Sequence, residues 1–265
     1  MSVTVQDLRG WKSEGRRFAM LTAYDYPTAR ILDDAGIPVL LVGDTLAEVV
    51  LGHDTTLPVT MDAMLHHCRA VARGAEKALI VGDLPFLSYQ VSVEEGIRNA
   101  GRYLKEGGAH CVKFEGPFPE LAEALSTRGI PIMGHLGLTP QSVHAFGGYR
   151  VQGRTEGAAL RLLDAAAELE QAGAFAIVLE CVPMELAKEI TEKLSIPTIG
   201  IGAGPHCDGQ VLVIQDVLGL NPDHVAKFVR QYAKLGEAIE AAARSFDQDV
   251  RSGAFPTTEH EYSAR

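Results

Sequence analysis

Short apolar runs alternate with helical stretches along most of the chain, and four of those runs stop at a carboxylate. VLLVGD ends at Asp44, ALIVGD at Asp83, CVKFE at Glu115 and AIVLE at Glu180. Runs this short, bounded by turn residues, predict parallel strands buried on both faces. Candidate strands are Phe18–Ala23, Pro38–Gly43, Ala78–Gly82, His110–Glu115, Ile130–His135, Phe175–Glu180, Pro197–Ile201 and Gln210–Ile214. Between them, helical patterns cover Tyr26–Ala35, Met61–Arg73, Val93–Glu106, Pro119–Thr127, Thr155–Ala172, Met184–Lys193 and Pro222–Ser245. Three strands open from one repeated signal, in AGIPVLLVG, TRGIPIMG and LSIPTIGIG. A Gly or polar residue stops the helix there, and Pro starts the strand where its missing N–H is harmless.

Seven or eight such units predict one α/β domain over residues 1–265, a (β/α)8 barrel of the triosephosphate isomerase (TIM) type. An open doubly wound sheet is the alternative. In a barrel the carboxyl ends of all strands meet at one face. Acids far apart in sequence would then share a pocket, which makes an enzyme the leading expectation.

Composition removes several other classes. A net charge of −10 with no Lys/Arg cluster argues against nucleic acid, whose phosphates need a basic face. Cys68, Cys111, Cys181 and Cys207 form no CxxC pair, so buried thiols are expected ahead of disulfides or zinc. No run approaches the ~18 apolar residues of a membrane span, and the N-terminal segment lacks an apolar signal region. The cytoplasm is the expected location.

Two segments depart from the strand–helix rhythm. The connection 136–153, LGLTPQSVHAFGGYRVQG, is long and rich in Gly, Ser and Thr, as lids and binding loops are. The tail 247–265 is polar but carries Phe255 and Tyr262, which suit docking on a surface.

Asp44, Asp83 and Glu115 close three successive strands. Neighbouring strands lie ~4.8 Å apart, so carboxylates at equal height would repel by about 4 kcal/mol at an effective dielectric of 20. A divalent cation offsets that repulsion, and with oxygen donors alone the natural ion is Mg2+. The plainer alternative makes each Asp the cap of the following helix.

Lys113 lies two residues before Glu115, so both point the same way in a strand. Among carboxylates it stays charged and can hold an anionic substrate; the alternative turns it outward toward the helices. His135 closes IPIMGH at the same face, where it could serve a substrate or be a satisfied structural histidine. Glu180, across the barrel by strand count, suits a general base, with a salt bridge as its alternative. Gly200–Gly204 (GIGAG) is expected as a tight turn, and His53, His66 and His67 show no metal-ligand spacing.

The segments MLTAYDYPTARILDDAGIPVLLVGD, LPVT, VGDLPF, VKFEG, IPIMGHLGLTPQSV, VLECVP and IPTIGIGAGPHCDGQVLV closely resemble the ketopantoate hydroxymethyltransferase family, in the family's order. The resemblance implies a barrel of the phosphoenolpyruvate/pyruvate kind and dependence on a single Mg2+ per subunit. It implies 5,10-methylenetetrahydrofolate as co-substrate, hydroxymethyl transfer to 3-methyl-2-oxobutanoate in pantothenate and coenzyme A biosynthesis, and a homo-oligomer, commonly a decamer. It places metal ligands at Asp44, Asp83 and Glu115 and substrate contacts at Asp44, Thr45, Asp83 and Lys113. Glu180 falls on the proton acceptor and His135 on an auxiliary active-site histidine. Where the family usually continues Leu/Val-Gly-Met, this chain has Leu46-Ala47-Glu48, which alters loop flexibility and polarity. The rivals are a related Mg2+-dependent lyase or mutase, a folate-independent aldolase and a catalytically inert barrel. Against the lyases and mutases, the segment after the fourth strand reads VKFEGPFPE where those enzymes carry a nucleophilic or Cys-bearing loop.

Overall fold

The computed structural model describes residues 2–220 and 225–263, which divide into two compact units, Met1–Val213 and Ile214–Arg265. The first unit begins with α1 (Val5–Ser13), β1 (Phe18–Thr22), α2 (Tyr26–Asp34), β2 (Val39–Val42), α3 (Leu46–Val49), α4 (Met61–Gly74) and β3 (Leu79–Asp83). It continues through α5 (Val93–Arg102), β4 (Cys111–Glu115), α6 (Pro119–Ser126), β5 (Ile132–Gly137), α7 (Val143–Phe146) and α8 (Glu156–Gln171). β6 (Ala176–Glu180), α9 (Met184–Lys193), β7 (Thr198–Ile201) and β8 (Gly209–Leu212) complete it. The eight strands are parallel and close into a barrel in chain order, β8 pairing with β1.

Every expected strand is present, with ends shifted by at most two residues. All four residues of β2 and all five of β3 and β4 are buried, as strands covered on both faces must be. Alternation sends Met20, Val39, Leu41, Leu79, Val81, Cys111, Met133, Val178, Ile199 and Val211 into one apolar core. The same alternation continued to the strand ends puts Asp83, Lys113, Glu115, His135 and Glu180 above that core.

The other end of the barrel is covered by α1. The capping box of Thr4 with Asp7 starts this helix. Its Leu8 is fully buried in the core cluster, with Val5 and Trp11 packed beside it. Lys12 Nζ fastens it to Asp208 Oδ2 at 2.9 Å and to the Thr191 carbonyl at 2.8 Å. Sequence reasoning did not expect α1, although the Thr-x-x-Asp signal was available.

The expected helix Val93–Glu106 is a correction. It stays α-helical only to Arg102 and then widens into a π-helical turn, Tyr103–Gly107, that Gly108 ends in the left-handed region at φ 75°. That turn carries the fully buried Tyr103 ring against Gly82, where a Cβ would fall 2.3 Å from the ring. The Tyr103 hydroxyl donates to the Asp83 carbonyl.

Within the second unit, α10 (Ile214–Leu218) begins where the eighth strand was expected to end. Of the helix expected over 222–245, residues 222–224 lie outside the described residues, and the helix found is α11 (Leu235–Ser252). Residues 247–252, expected as tail, are its last turns, and Phe255 returns to pack edge-on against Phe246 with ring centroids 5.5 Å apart. No residue of α11 is buried, and Leu235, Ile239, Phe246 and Val250 form one apolar stripe. No helix among the described residues is long and apolar enough to cross a membrane, and the four cysteines are free thiols, Cys181 half-buried and the others buried.

Candidate active site

Asp44, Thr45, Asp83, Lys113, Glu115, His135 and Glu180 line one small cavity of about 50 Å³ at the carboxyl ends of the strands. All seven residues selected from sequence are therefore brought together. Asp44, Asp83, Lys113, Glu115 and His135 are each at most 4% exposed, a cost that only mutual pairing or a bound ion can offset.

Equal height, however, is not what the barrel shear provides. Asp83 lies in register with Lys113, and Glu115 with His135. Lys113 Nζ accordingly sits 2.7 Å from Asp83 Oδ1. The carboxylates of Asp83, Glu115 and Asp44 together overcome burial and hold the Lys113 ammonium well above its ordinary range. A charged lysine follows, as expected, and a neutral amine for Schiff-base chemistry does not.

The acids do not share one fate. Burial, then Asp83 and Glu115, push the Asp44 carboxyl well above the usual carboxylate range, against the pull of Lys113 and Gln141. Burial also raises Asp83, against Lys113. Burial would raise Glu115 too, but His135, Lys113 and the Gln141 backbone N–H together bring it below its ordinary value. Glu115 Oε2 accepts that N–H at 2.9 Å.

Glu180 is not remote from these groups. His135 stands between two acids, with Nδ1 3.5 Å from Glu115 Oε1 and Nε2 3.2 Å from Glu180 Oε2. The second contact has the distance of an ion pair without the angle of a hydrogen bond. Burial and Lys113 oppose charge on the imidazole, but Glu115 and Glu180 outweigh them and raise its pKa to about 9. The Glu180 side chain is 15% exposed against 2–5% for its neighbours, so it is the acid of this group most open to a substrate. Cys181, directly after it, holds φ 47°, a strained value for a residue with a Cβ.

Sequence reasoning missed Gln141 and Tyr89. Gln141 occupies a 3-10 turn, Pro140–Ser142, at the foot of the long connection. Its Nε2 donates to Asp44 Oδ2 and to the Leu84 carbonyl, both at 2.9 Å, while the Tyr89 hydroxyl donates to its Oε1 at 2.8 Å. The Pro-Gln pair in that connection was the available signal, but nothing in its spacing pointed to Asp44. Farther along, Tyr149 donates to Glu48 Oε1 at 2.9 Å, linking the connection after β5 to α3 after β2. The altered position Glu48 therefore has a partner. A larger cavity, about 500 Å³, adjoins the acids through Glu115 and Gln141 and is walled by Phe86, Tyr89, Phe118 and Phe146.

Asp44, Asp83 and Glu115 offer oxygen donors only, and burial followed by their mutual repulsion raises two of them, which suits a hard divalent ion that keeps water or substrate oxygens as further ligands. Among the described residues no three such side chains already surround one point, so the protein would supply part of a coordination sphere.

A closed parallel barrel with ionisable groups buried at its carboxyl face defines a barrel enzyme. Solved structures agree on the fold. Phosphonopyruvate hydrolase superposes with TM-score 0.62 at 14% identity, covering 99% of this chain and 92% of that one. 2,3-Dimethylmalate lyase, a PEP mutase/isocitrate lyase superfamily member, gives 0.59 at 15% identity, covering 99% and 93%. The model of the family described as ketopantoate hydroxymethyltransferase matches residues 2–258. Two proteins named 3-methyl-2-oxobutanoate hydroxymethyltransferase are close relatives. That of Thermobifida fusca (strain YX) is 57% identical over 98% of this chain and 94% of its own length. That of Syntrophus aciditrophicus (strain SB) is 54% identical over 98% and 96%. The chain belongs to the ketopantoate hydroxymethyltransferase family, and it is an enzyme, a transferase of pantothenate biosynthesis.

Proposed function

We propose that this enzyme transfers a hydroxymethyl group from 5,10-methylenetetrahydrofolate to 3-methyl-2-oxobutanoate, giving 2-dehydropantoate, with Glu180 as the proton acceptor. The observation that carries the reading is the asymmetry of the buried group. Asp44, Asp83, Lys113 and Glu115 are sealed at one side of the cavity, and Glu180, joined to them through His135, is the more open acid.

Asp44, Asp83 and Glu115 would hold a divalent cation, with Mg2+ the natural choice for oxygen ligands. Bound there, it would polarise the ketone as a Lewis acid and so acidify C3. Lys113 and Thr45 fix the substrate carboxylate, the ammonium by charge and Thr45 by its hydroxyl, which turns C3 toward Glu180. Glu180 takes the C3 proton, and the electron pair of the broken C–H bond becomes the nucleophile that forms the new C–C bond to the donor's methylene carbon. One carbon–nitrogen bond of the donor opens as the C–C bond forms, its nitrogen taking the proton held by Glu180. Water then displaces the second nitrogen, giving it a proton and leaving the hydroxyl, and tetrahydrofolate departs. His135, with Nε2 3.2 Å from Glu180 Oε2, stands where it can steady that carboxylate before the transfer. The adjoining aromatic cavity supports room for a bulky donor beside the acids. Assembly as a homo-oligomer is supported by the exposed apolar stripe of α11, and its decameric size rests on the family resemblance alone.

Glu180→Gln should bind the oxo acid normally yet lose C3 hydrogen–deuterium exchange, followed by NMR in D2O. Asp83→Ala should lose both metal and oxo-acid binding in titration calorimetry. Exchange at the wild-type rate in the Gln variant would remove Glu180 from its role. Turnover with formaldehyde but not with the folate would assign the donor otherwise.

A further inference from the structure

Gln141 is 5% exposed, and every polar atom of its side chain is engaged. Both N–H bonds of Nε2 are spent, on Asp44 Oδ2 and on the Leu84 carbonyl, each at 2.9 Å. Oε1 accepts from the Tyr89 hydroxyl at 2.8 Å and from Gln90 Nε2 at 2.9 Å. The Gln141 backbone N–H donates to Glu115 Oε2 at 2.9 Å.

These partners fix which end of the amide is nitrogen. A flipped amide would set its oxygen against the Asp44 carboxylate and the Leu84 carbonyl, losing both of those bonds. The residue type is equally constrained. Asn is one methylene too short to span the same partners, Glu would add a fourth negative charge beside Asp44, and Met keeps the volume but has no donor. One side chain thus ties the segments after β2 and β3 to the turn after β5, and the backbone N–H of the same residue reaches the last residue of β4.

We propose that Gln141 is a positioning residue for this reaction: its amide and its backbone N–H hold the Asp44 and Glu115 carboxylates in the arrangement that receives the divalent cation. The inference rests on the cation reading above and adds a residue whose side-chain polar atoms are all spent on protein groups. A carboxylate fixed through one oxygen presents the other at a defined place, so the ion meets an arrangement already set. Without the amide, Asp44 turns freely and Glu115 follows the loosened turn.

The test is direct titration of the purified full-length protein with Mn2+, read by electron paramagnetic resonance without substrate. Wild type, Gln141→Met and Gln141→Asn are compared, each with its thermal midpoint and with KM and kcat taken separately. The expected result is Mn2+ binding weaker by about 10- to 100-fold in both variants, beside a thermal midpoint lowered by the buried partners left unpaired. Should Gln141→Met fail to fold, Gln141→Asn, which keeps a buried amide, carries the comparison. Unchanged Mn2+ affinity with a lowered midpoint would make Gln141 only an anchor of its turn, and unchanged affinity with a raised KM would make it a substrate contact. Either result overturns the proposal. A wild type that binds no Mn2+ would sink the cation reading and this inference with it, an outcome visible in a different sample.

Discussion

Asp33 lies in the last turn of α2, yet its carboxylate serves the approach to β3. It accepts the backbone N–H groups of Glu76, Lys77 and Ala78 at 3.1, 3.0 and 2.8 Å. Burial would raise its pKa, but these three donors win and lower it below the ordinary 3.8. Asp33→Ala leaves three donors without a partner and should lower stability by about 3 kcal/mol in urea denaturation. Because the folded value is the lower one, the wild-type advantage is complete above pH 3.8 and is lost as pH falls through the folded value. An advantage that persisted unchanged into stronger acid would contradict this account. Single residues of the site were legible in the same terms. A carboxylate closing an apolar strand, and a lysine two places before one, have few other uses, and all seven candidates line one cavity. Gln141 was not legible, because an amide in a polar loop acquires meaning only when its partners, 97 and 26 residues away, are known.

Strands were the elements read most reliably from the sequence, since burial on both faces leaves an unbroken apolar run with Gly or Pro at its start. Register was not readable. The shear that sets Asp83 beside Lys113 and Glu115 beside His135 is a property of the closed sheet, and no local pattern carries it. The π-helical turn was equally hidden, because its extra residue is fixed by the fit of Tyr103 over Gly82. The connection after β5 was singled out by its length and its Gly, Ser and Thr content, and its hold on the site has two parts, Gln141 at its foot and Tyr149 farther along. Tyr149→Phe removes the bond to Glu48, worth about 1 kcal/mol. Amide exchange across 143–153 should then quicken by about fivefold in mass spectrometry, with the thermal midpoint unchanged. Exchange at the wild-type rate would mean that this bond does not restrain the segment.

Across the whole molecule, the two ends of the barrel are unlike. Within the first unit, α1, held by Leu8, Trp11 and Lys12, seals the amino end, so among the described residues of that unit the acids open toward the end where they lie. With the donor proposed above, one doorway serves both reactants and both products, so the small oxo acid would be seated deep before the larger donor stands across the opening. Steady-state kinetics should follow compulsory order, an inert analogue of the donor acting uncompetitively against the oxo acid. Noncompetitive inhibition instead would mean that arrivals are unordered and that the doorway is wider than its walls suggest.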